Sequence, residues 1–123
     1  SNGKHTVTEI VGLPIIELTT IGAKTGQPRT MPLVSLFDDG KIALIGSNFG
    51  QKHNPGWYYN LKANPKCTVH FGGQTREYIA RQTEGGEREK YWQMAVSYYK
   101  GYALYEKRAS HRVIPVMVLE PVK

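Results

Sequence analysis

"LPIIELTTIGAKTGQPRTMPLVSLFDDGKIALIGSN", residues 13–48, holds three apolar, β-rich runs separated by two turns of unequal size. "LPIIELTTI" (13–21) has the character of a mostly buried strand. "RTMPLVSLF" (29–37) is again strand-like, and Pro32 marks it as an edge or an irregular point. "DDG" (38–40) signals a tight turn, and "KIALIGSN" (41–48) returns as a third strand. The three predict an antiparallel meander. Its first turn is out of proportion. Hairpin loops usually need about two to five residues. This one carries Gly22, Lys24, Thr25, Gly26, Pro28 and Arg29, two of them permanent cations.

Working outward, "FGQKH" reads as loop, and Asn54-Pro55 stands where a helix N-cap and first helical residue would. A short helix over "GWYYNLKA" then stops at Asn64-Pro65. "KCTVHFG" and "QTREYIARQTE" alternate as strands four and five around a Gly72-Gly73 turn. "GEREKYWQMAVSYYKGYALYEKR" is helical, with Glu84, Glu87 and Glu89 at its start, Lys100, Lys107 and Arg108 late, and Gly101 as a break point. "RVIPVMVLE" closes the chain as a sixth strand. The fold class expected is α+β, mainly β: a closed or half-open barrel of about six mostly antiparallel strands, with one short and one longer helix. A chain of 123 residues makes this one domain, residues 3–123, with Ser1-Asn2 reading as a tag remnant.

Sixteen basic against ten acidic residues give a net charge of +6, which favours an anionic partner: nucleic acid, a membrane surface, or a phosphorylated or carboxylated small molecule. One cysteine, Cys67, excludes an internal disulfide and any multi-cysteine metal site, as a reducing cytoplasm would suit. No apolar run reaches the roughly 20 residues a membrane span needs. "GAKTG" lacks Walker spacing and leads into a strand, and neither G-x-G-x-x-G nor G-x-S-x-G occurs. His5, His53, His70 and His111 stand singly, so no metal is expected.

Three constellations can carry chemistry. In the wide turn, Gly22 and Gly26 would let backbone amides approach a ligand, while Lys24 and Arg29 supply charge for a phosphate or carboxylate. The bland alternative is a solvated loop. In "GSNFGQKHNPGWYYN" (46–60), Ser47 and Asn48 follow a strand end and a Gly-containing loop leads to a helix N-terminus, another anion-favouring feature. Trp57 and Asn60 share a helical face, although Trp57 with Leu61 would also dock the helix. Third, Tyr91, Tyr98, Tyr102 and Tyr105 share one face of an unbroken helix, with Tyr99 beside them. Tyrosine in place of leucine means hydroxyls that need partners, hence a polar-lined aromatic cavity. Anion anchor, amide-rich loop and aromatic wall together suit a large planar, phosphorylated cofactor. A stacking platform for nucleic acid is the rival reading, but the aromatics and the cations lie in different segments and no nucleic-acid motif is present.

"LTTIGAKTGQPRTMPL", "GSNFGQKHNPGWYYNLKANP", "YYKGYALY" and "RVIPVMVLEP" together resemble the deazaflavin-dependent nitroreductase family of actinobacteria, over about Leu13 to Pro121. That resemblance implies a split β-barrel that binds coenzyme F420, the reduced form serving as hydride donor to an electron-poor enone, quinone or nitro-aromatic. It assigns the anionic F420 tail to the turn, with Lys24, Thr25, Gly26 and Arg29 as its contacts. Met31, Pro32 and Leu33 would line the cofactor channel, Ser47, Asn48, Phe49 and Gly50 would edge the ring, and Gly56, Trp57 and Asn60 would complete the pocket. Val34, Tyr99, Tyr102 and Tyr105 would form the substrate wall, with Ser47, Tyr102 and Tyr105 as candidates to hydrogen-bond the acceptor or relay its proton.

The chain departs from the family pattern at Ile21 (usually Thr), Val34 (Tyr), Asn48 (Lys) and Gly56 (Met), giving a smaller, less polar lining. The resemblance implies a small-molecule acceptor, no nucleic acid, and a monomer or homodimer. It also implies a cytoplasmic protein, open to contact with the inner membrane face through a segment preceding the visible chain. FMN in place of F420, and a carrier that catalyses nothing, stay open as alternatives.

Overall fold

The computed structural model describes residues 14–47, 53–108 and 113–122. In chain order these form β1 (Ile15–Ile21), β2 (Pro28–Val34), β3 (Leu36–Asp38), β4 (Lys41–Ile45), α1 (Gly56–Ala63), β5 (Lys66–Phe71), β6 (Gln74–Gln82), α2 (Gly85–Tyr98), α3 (Gly101–Arg108) and β7 (Val116–Pro121). All strand pairings are antiparallel, and the sheet order is β2-β1-β5-β6-β7-β4-β3.

The two edges of this sheet, β2 and β3, are consecutive in sequence, with Ser35 alone between them. The single strand expected over 29–37 is therefore two, and the described residues form seven strands where about six were expected. The reason is local. Ser35 is buried, and both its N–H (2.9 Å) and its Oγ (3.2 Å) donate to the carbonyl oxygen of Pro14. This takes the chain out of one ladder: Pro28–Val34 pairs with β1 in the register Leu18↔Met31, while Leu36–Asp38 pairs with β4 in the register Leu36↔Ala43. One bent run of chain thus belongs to both edges and curls the sheet into a half-open barrel. Pro32 sits on edge strand β2, where a missing N–H is tolerated.

Alternation along the strands builds two cores. Ile16, Leu18, Ile42, Leu44, Val69, Met117 and Leu119 point into the barrel, together with Trp57 and Leu61 from α1. Leu36, Ala43, Val116 and Val118 point outward and are covered by Tyr91, Trp92, Ala95 and Tyr102 of α2 and α3. Neighbours in β2 divide the same way, Leu33 packing on the inner cluster and Val34 on the outer.

The turns follow their chemistry. Asp39 (φ 50°) and Gly40 (φ 84°) close β3–β4, and Gly72 (61°) and Gly73 (79°) close β5–β6, as two-residue hairpins with both central residues left-handed demand. Helix α1 covers the expected "GWYYNLKA", but its N-cap falls one residue later than expected. Pro55, with ψ 156°, is extended and acts as N-cap, so Gly56 is the first helical residue and the N-cap residue itself offers no side-chain cap.

The expected longer helix is two helices. Tyr99 is extended (φ −145°, ψ 104°), its N–H still bonded to Ala95 O, so the break falls just ahead of Gly101. The tyrosine stripe is redistributed accordingly. Tyr98 is 52% exposed and leaves the group, Tyr91 turns inward to donate to Asp38 Oδ2 (2.7 Å), and Tyr99 joins Tyr102 and Tyr105. Helix α2 is pinned from three sides: Lys90 and Tyr91 to Asp38, Glu87 to Arg81 of β6, and Arg88 Nη2 to Ile114 O. Arg81 also reaches Glu120 of β7 at 2.7 Å.

Candidate functional site

The wide turn, residues 22–27, is held in one shape by bonds that close on themselves. Gly22 N–H donates to Gln27 O (2.8 Å), Gly26 N–H to Gly22 O (2.9 Å), and Gln27 N–H to Thr25 Oγ1 (3.2 Å). Gly22 is required by close approach, since a Cβ there would sit 2.7 Å from Thr25 Oγ1 and 3.2 Å from Gln27 O. Gly26, at φ 71°, is required by its left-handed backbone. The amides of both glycines are thus engaged inside the turn, and the shape they allow leaves other backbone amides at its apex. Within the turn, the amides that find no acceptor among the described residues are those of Lys24 and Thr25, at the apex.

Helix α1 fastens this turn from below. Asn60 Oδ1 accepts the Ala23 N–H (2.9 Å), and Asn60 Nδ2 donates to Thr20 Oγ1 (3.0 Å), a threonine 2% exposed. Gly56, Tyr59 and Asn60 of the helix and Gly22, Ala23, Lys24, Thr25 and Arg29 of the strand side line an open pocket of about 500 Å³. Gly56, the first residue of α1, is part of this lining, which brings the helix's positive end to the pocket. Lys24 and Arg29 are exposed and, among the described residues, neither has an ion-pair partner. A pocket with two unneutralised cations, apex amides and a helix N-terminus is receptive to an anion.

The helical face turned to the pocket is Gly56–Tyr59–Asn60, not Trp57–Asn60. Trp57 is 4% exposed, lies in the inner core and does not line the pocket. Ala23 and Tyr59 are pocket residues that sequence reading missed; spacing of three and four counted from Gly56 would have found Tyr59. Gly56 leaves open space where a Cβ would point.

From this pocket β2 runs toward the tyrosines. Arg29 and Val34 are five residues apart on one strand, about 17 Å at the usual rise. Met31 (39% exposed) and Pro32 are exposed, and Leu33 and Val34 half-buried. Pairing between the bent run and β4 ends at Leu36↔Ala43, so β2 and the end of β4 part beyond it. Met31–Val34 lie on the β2 side of this divergence and Ile45 and Ser47 on the β4 side, Ser47 being 7% exposed. Asn48, Phe49 and Gly50, the other residues expected at the ring, lie outside the described residues.

At the far end of β2 the substrate-wall candidates come together. Val34, Tyr99 and Tyr105 pack on the outer core, which includes Tyr102. The rings of Tyr99 and Tyr102 meet edge-on at 5.4 Å, Tyr102 and Tyr105 at 6.1 Å, and Tyr99 and Tyr105 at 6.0 Å. The hydroxyls of Tyr99 and Tyr105 share a 3.2 Å hydrogen bond. Burial, with Tyr105 and Tyr99 alongside, pushes the Tyr102 phenol up to about 12, so it keeps its proton at neutral pH. Cys67 is buried, its thiol pushed up to about 12 by desolvation, and is the inert thiol expected of its position. Among the described residues no helix is long and apolar enough to cross a membrane.

Fold and site together define a half-open antiparallel barrel with an anion-receptive pocket at one end of β2 and a tyrosine wall at the other. The chain belongs to the F420H(2)-dependent quinone reductase family, whose model matches residues 1–121. It is 37% identical over 109 residues to the F420H(2)-dependent quinone reductase Rv1261c of Mycobacterium tuberculosis, covering 86% of this chain and 72% of that protein. Among solved structures it is similar to an F420-H2 dependent reductase, FDR-A, with a TM-score of 0.79 and 42% identity over 87% of this chain and 94% of that one. A further structure of equal TM-score and identity, covering 87% of this chain and 80% of that one, is described as a domain-swapped dimer. HutZ, a haem storage protein of Vibrio cholerae, shares the fold at a TM-score of 0.61 with 12% identity, over 95% and 88% of the two chains.

Proposed function

We propose that this protein is an F420H2-dependent reductase whose acceptor is an electron-poor ring of the quinone class, and that the two ends of β2 divide the work. The observation that carries this reading is the pair Lys24 and Arg29, without an ion-pair partner among the described residues, beside the start of α1 and joined by one strand to the tyrosine wall. Reduced F420, when bound, supplies the hydride. Lys24, Arg29 and the apex amides of Lys24 and Thr25 hold its anionic tail, with Asn60 setting the turn. Met31, Pro32, Leu33 and Ser47, on the two sides of the divergence, flank the ring. The departures Val34 and Gly56 widen the lining.

The protein supplies no nucleophile. It brings two flat rings face to face, excludes water on the tyrosine side and meets the charge that develops on the acceptor. A quinone that gains a hydride gains two electrons and becomes anionic at oxygen. The Tyr102 hydroxyl, protonated at neutral pH, donates to that oxygen, and Tyr105 and Ser47 serve the same end from α3 and from just beyond β4. The proton finally taken up comes from solvent through this group of hydroxyls.

The assembly proposed is a homodimer, by likeness to the 42% identical domain-swapped neighbour. A net charge of +6 would also draw the chain to an anionic bilayer surface, where apolar quinones dissolve.

A fluorescence titration with F420, run beside FMN at equal concentration, tests the cofactor. Tight, salt-weakened F420 binding with little for FMN is expected, and absent F420 binding would overturn the reading. Turnover of a soluble naphthoquinone with F420H2 then separates an enzyme from a carrier.

A further inference from the structure

The geometry points to Gly101 as the residue that sets the shape of the acceptor wall, because its missing side chain is the space in which the Tyr99 ring lies. A Cβ built on Gly101 would stand 2.3 Å from Tyr99 Cζ and 2.5 Å from both its Cε2 and its hydroxyl oxygen. Non-bonded carbons sit about 3.5–4.0 Å apart, so any side chain here displaces the ring by roughly 1 Å or more.

The backbone explains why the two residues meet. Tyr99 ends α2 in an extended conformation, and its carbonyl then accepts the Tyr102 N–H (3.2 Å) at the start of α3. The side chain folds forward over the first residue of the new helix, which is Gly101. Seated there, the ring meets Tyr102 edge-on and its hydroxyl bonds Tyr105. Gly101 has no left-handed backbone to preserve, and alanine is a better helix former than glycine. The glycine therefore answers to the ring above it and not to the chain.

Gly101 is accordingly a specificity-determining position that acts through Tyr99. With glycine the ring lies low against α3; with any larger residue it is pushed off, parts from Tyr105 and intrudes where the acceptor stacks. This rests on the proposed function, in which Tyr99 belongs to the acceptor wall.

The test is a double-mutant cycle on the full chain with F420H2 and a naphthoquinone. Gly101→Ala is expected to lower kcat/KM for the quinone by at least about tenfold, since misplacement by 1 Å at a reacting pair has effects of that order. Its KM for F420H2 is expected to stay within about twofold. In the Tyr99→Ala background the same change is expected to do nothing further, because the obstructed ring is gone. Equal losses in both backgrounds would mean a backbone effect and overturn the proposal.

Ring resonances of labelled tyrosine, assigned with Tyr99→Phe and Tyr105→Phe, read the packing without turnover. Unshifted Tyr99 and Tyr105 signals in Gly101→Ala would refute the displacement itself. Shifted signals with unaltered quinone kinetics would also overturn the proposal, by placing the acceptor away from Tyr99.

Discussion

The carboxamide of Asn60 grips the main chain of Ala23, its Oδ1 accepting the Ala23 N–H at 2.9 Å while its Nδ2 holds Thr20 Oγ1 at 3.0 Å. A residue expected to touch the cofactor is thus also the clasp between α1 and the cationic turn. Asn60→Ala is expected to raise the F420 dissociation constant by about tenfold, a loss of the order of one to two hydrogen bonds. Amide exchange at Ala23 should accelerate in parallel. Weakened binding with Ala23 still protected would mean that Asn60 acts by direct contact alone.

Lys24 and Arg29 share no ion-pair partner among the described residues, so their charges are available to a ligand. Lys24→Ala with Arg29→Ala is expected to weaken F420 binding by roughly ten- to several hundredfold, given the worth of charge-assisted bonds in an exposed setting. Melting temperature should hardly move. The steepness of the salt dependence should fall with the two charges. Affinity equal to wild type in the double variant would remove the tail-grip argument.

Trp57 separates packing from binding. Buried between sheet and helix, its loss in Trp57→Ala is expected to reduce stability by about 3–5 kcal/mol, as large-to-small changes in cores do. Trp57→Phe should recover most of that and bind F420 normally. Denaturant unfolding together with titration checks both; a stable Trp57→Phe that failed to bind would return the indole to the cofactor site.

The raised phenols of Tyr91 and Tyr102, each near 12 against an ordinary value of 10.0, give stability an alkaline limit. Both are raised chiefly by burial, and Tyr91 also by its bond to the Asp38 carboxylate. Between pH 10 and 12 the folded chain holds more protons at these sites than the unfolded chain does, so stability falls as pH rises through that window. Below pH 10 the contribution is complete. Tyr91→Phe should flatten the decline, measured by denaturant midpoint against pH.

Tyr102→Phe should do the same and also lower kcat for the quinone, leaving F420 affinity unchanged. A drop in F420 affinity would move Tyr102 to the cofactor side.

Much of the fold was legible because it is written in local chemistry. The apolar, β-rich run "IIELTTI" and the alternation in "KCTVHF" mark strands, and Asp39-Gly40 and Gly72-Gly73 announce left-handed hairpins. The half-barrel itself agrees with the family resemblance. Ser35 was not legible: "RTMPLVSLF" has no glycine or proline at the bend, and what divides it is a bond to Pro14, twenty-one residues away. The site divided in the same manner. Cations and tyrosines could be named from their types, but which amides the turn would leave at its apex could not, because that depends on those of Gly22 and Gly26 closing the turn on itself.

By itself the sequence determined which residues are charged, aromatic or apolar, and with what spacing, because propensity, turn chemistry and periodicity act over a few residues. Tertiary structure decided which of them meet. The break at Tyr99, invisible to a period of 3.6, released Tyr98 to solvent and brought Tyr99 to Tyr105. Pairing of one bent run with two strands then placed the cationic turn and the tyrosine wall at opposite ends of β2. Such contacts join residues far apart in the chain, and they form because burial and hydrogen bonding across the whole domain outweigh any local preference.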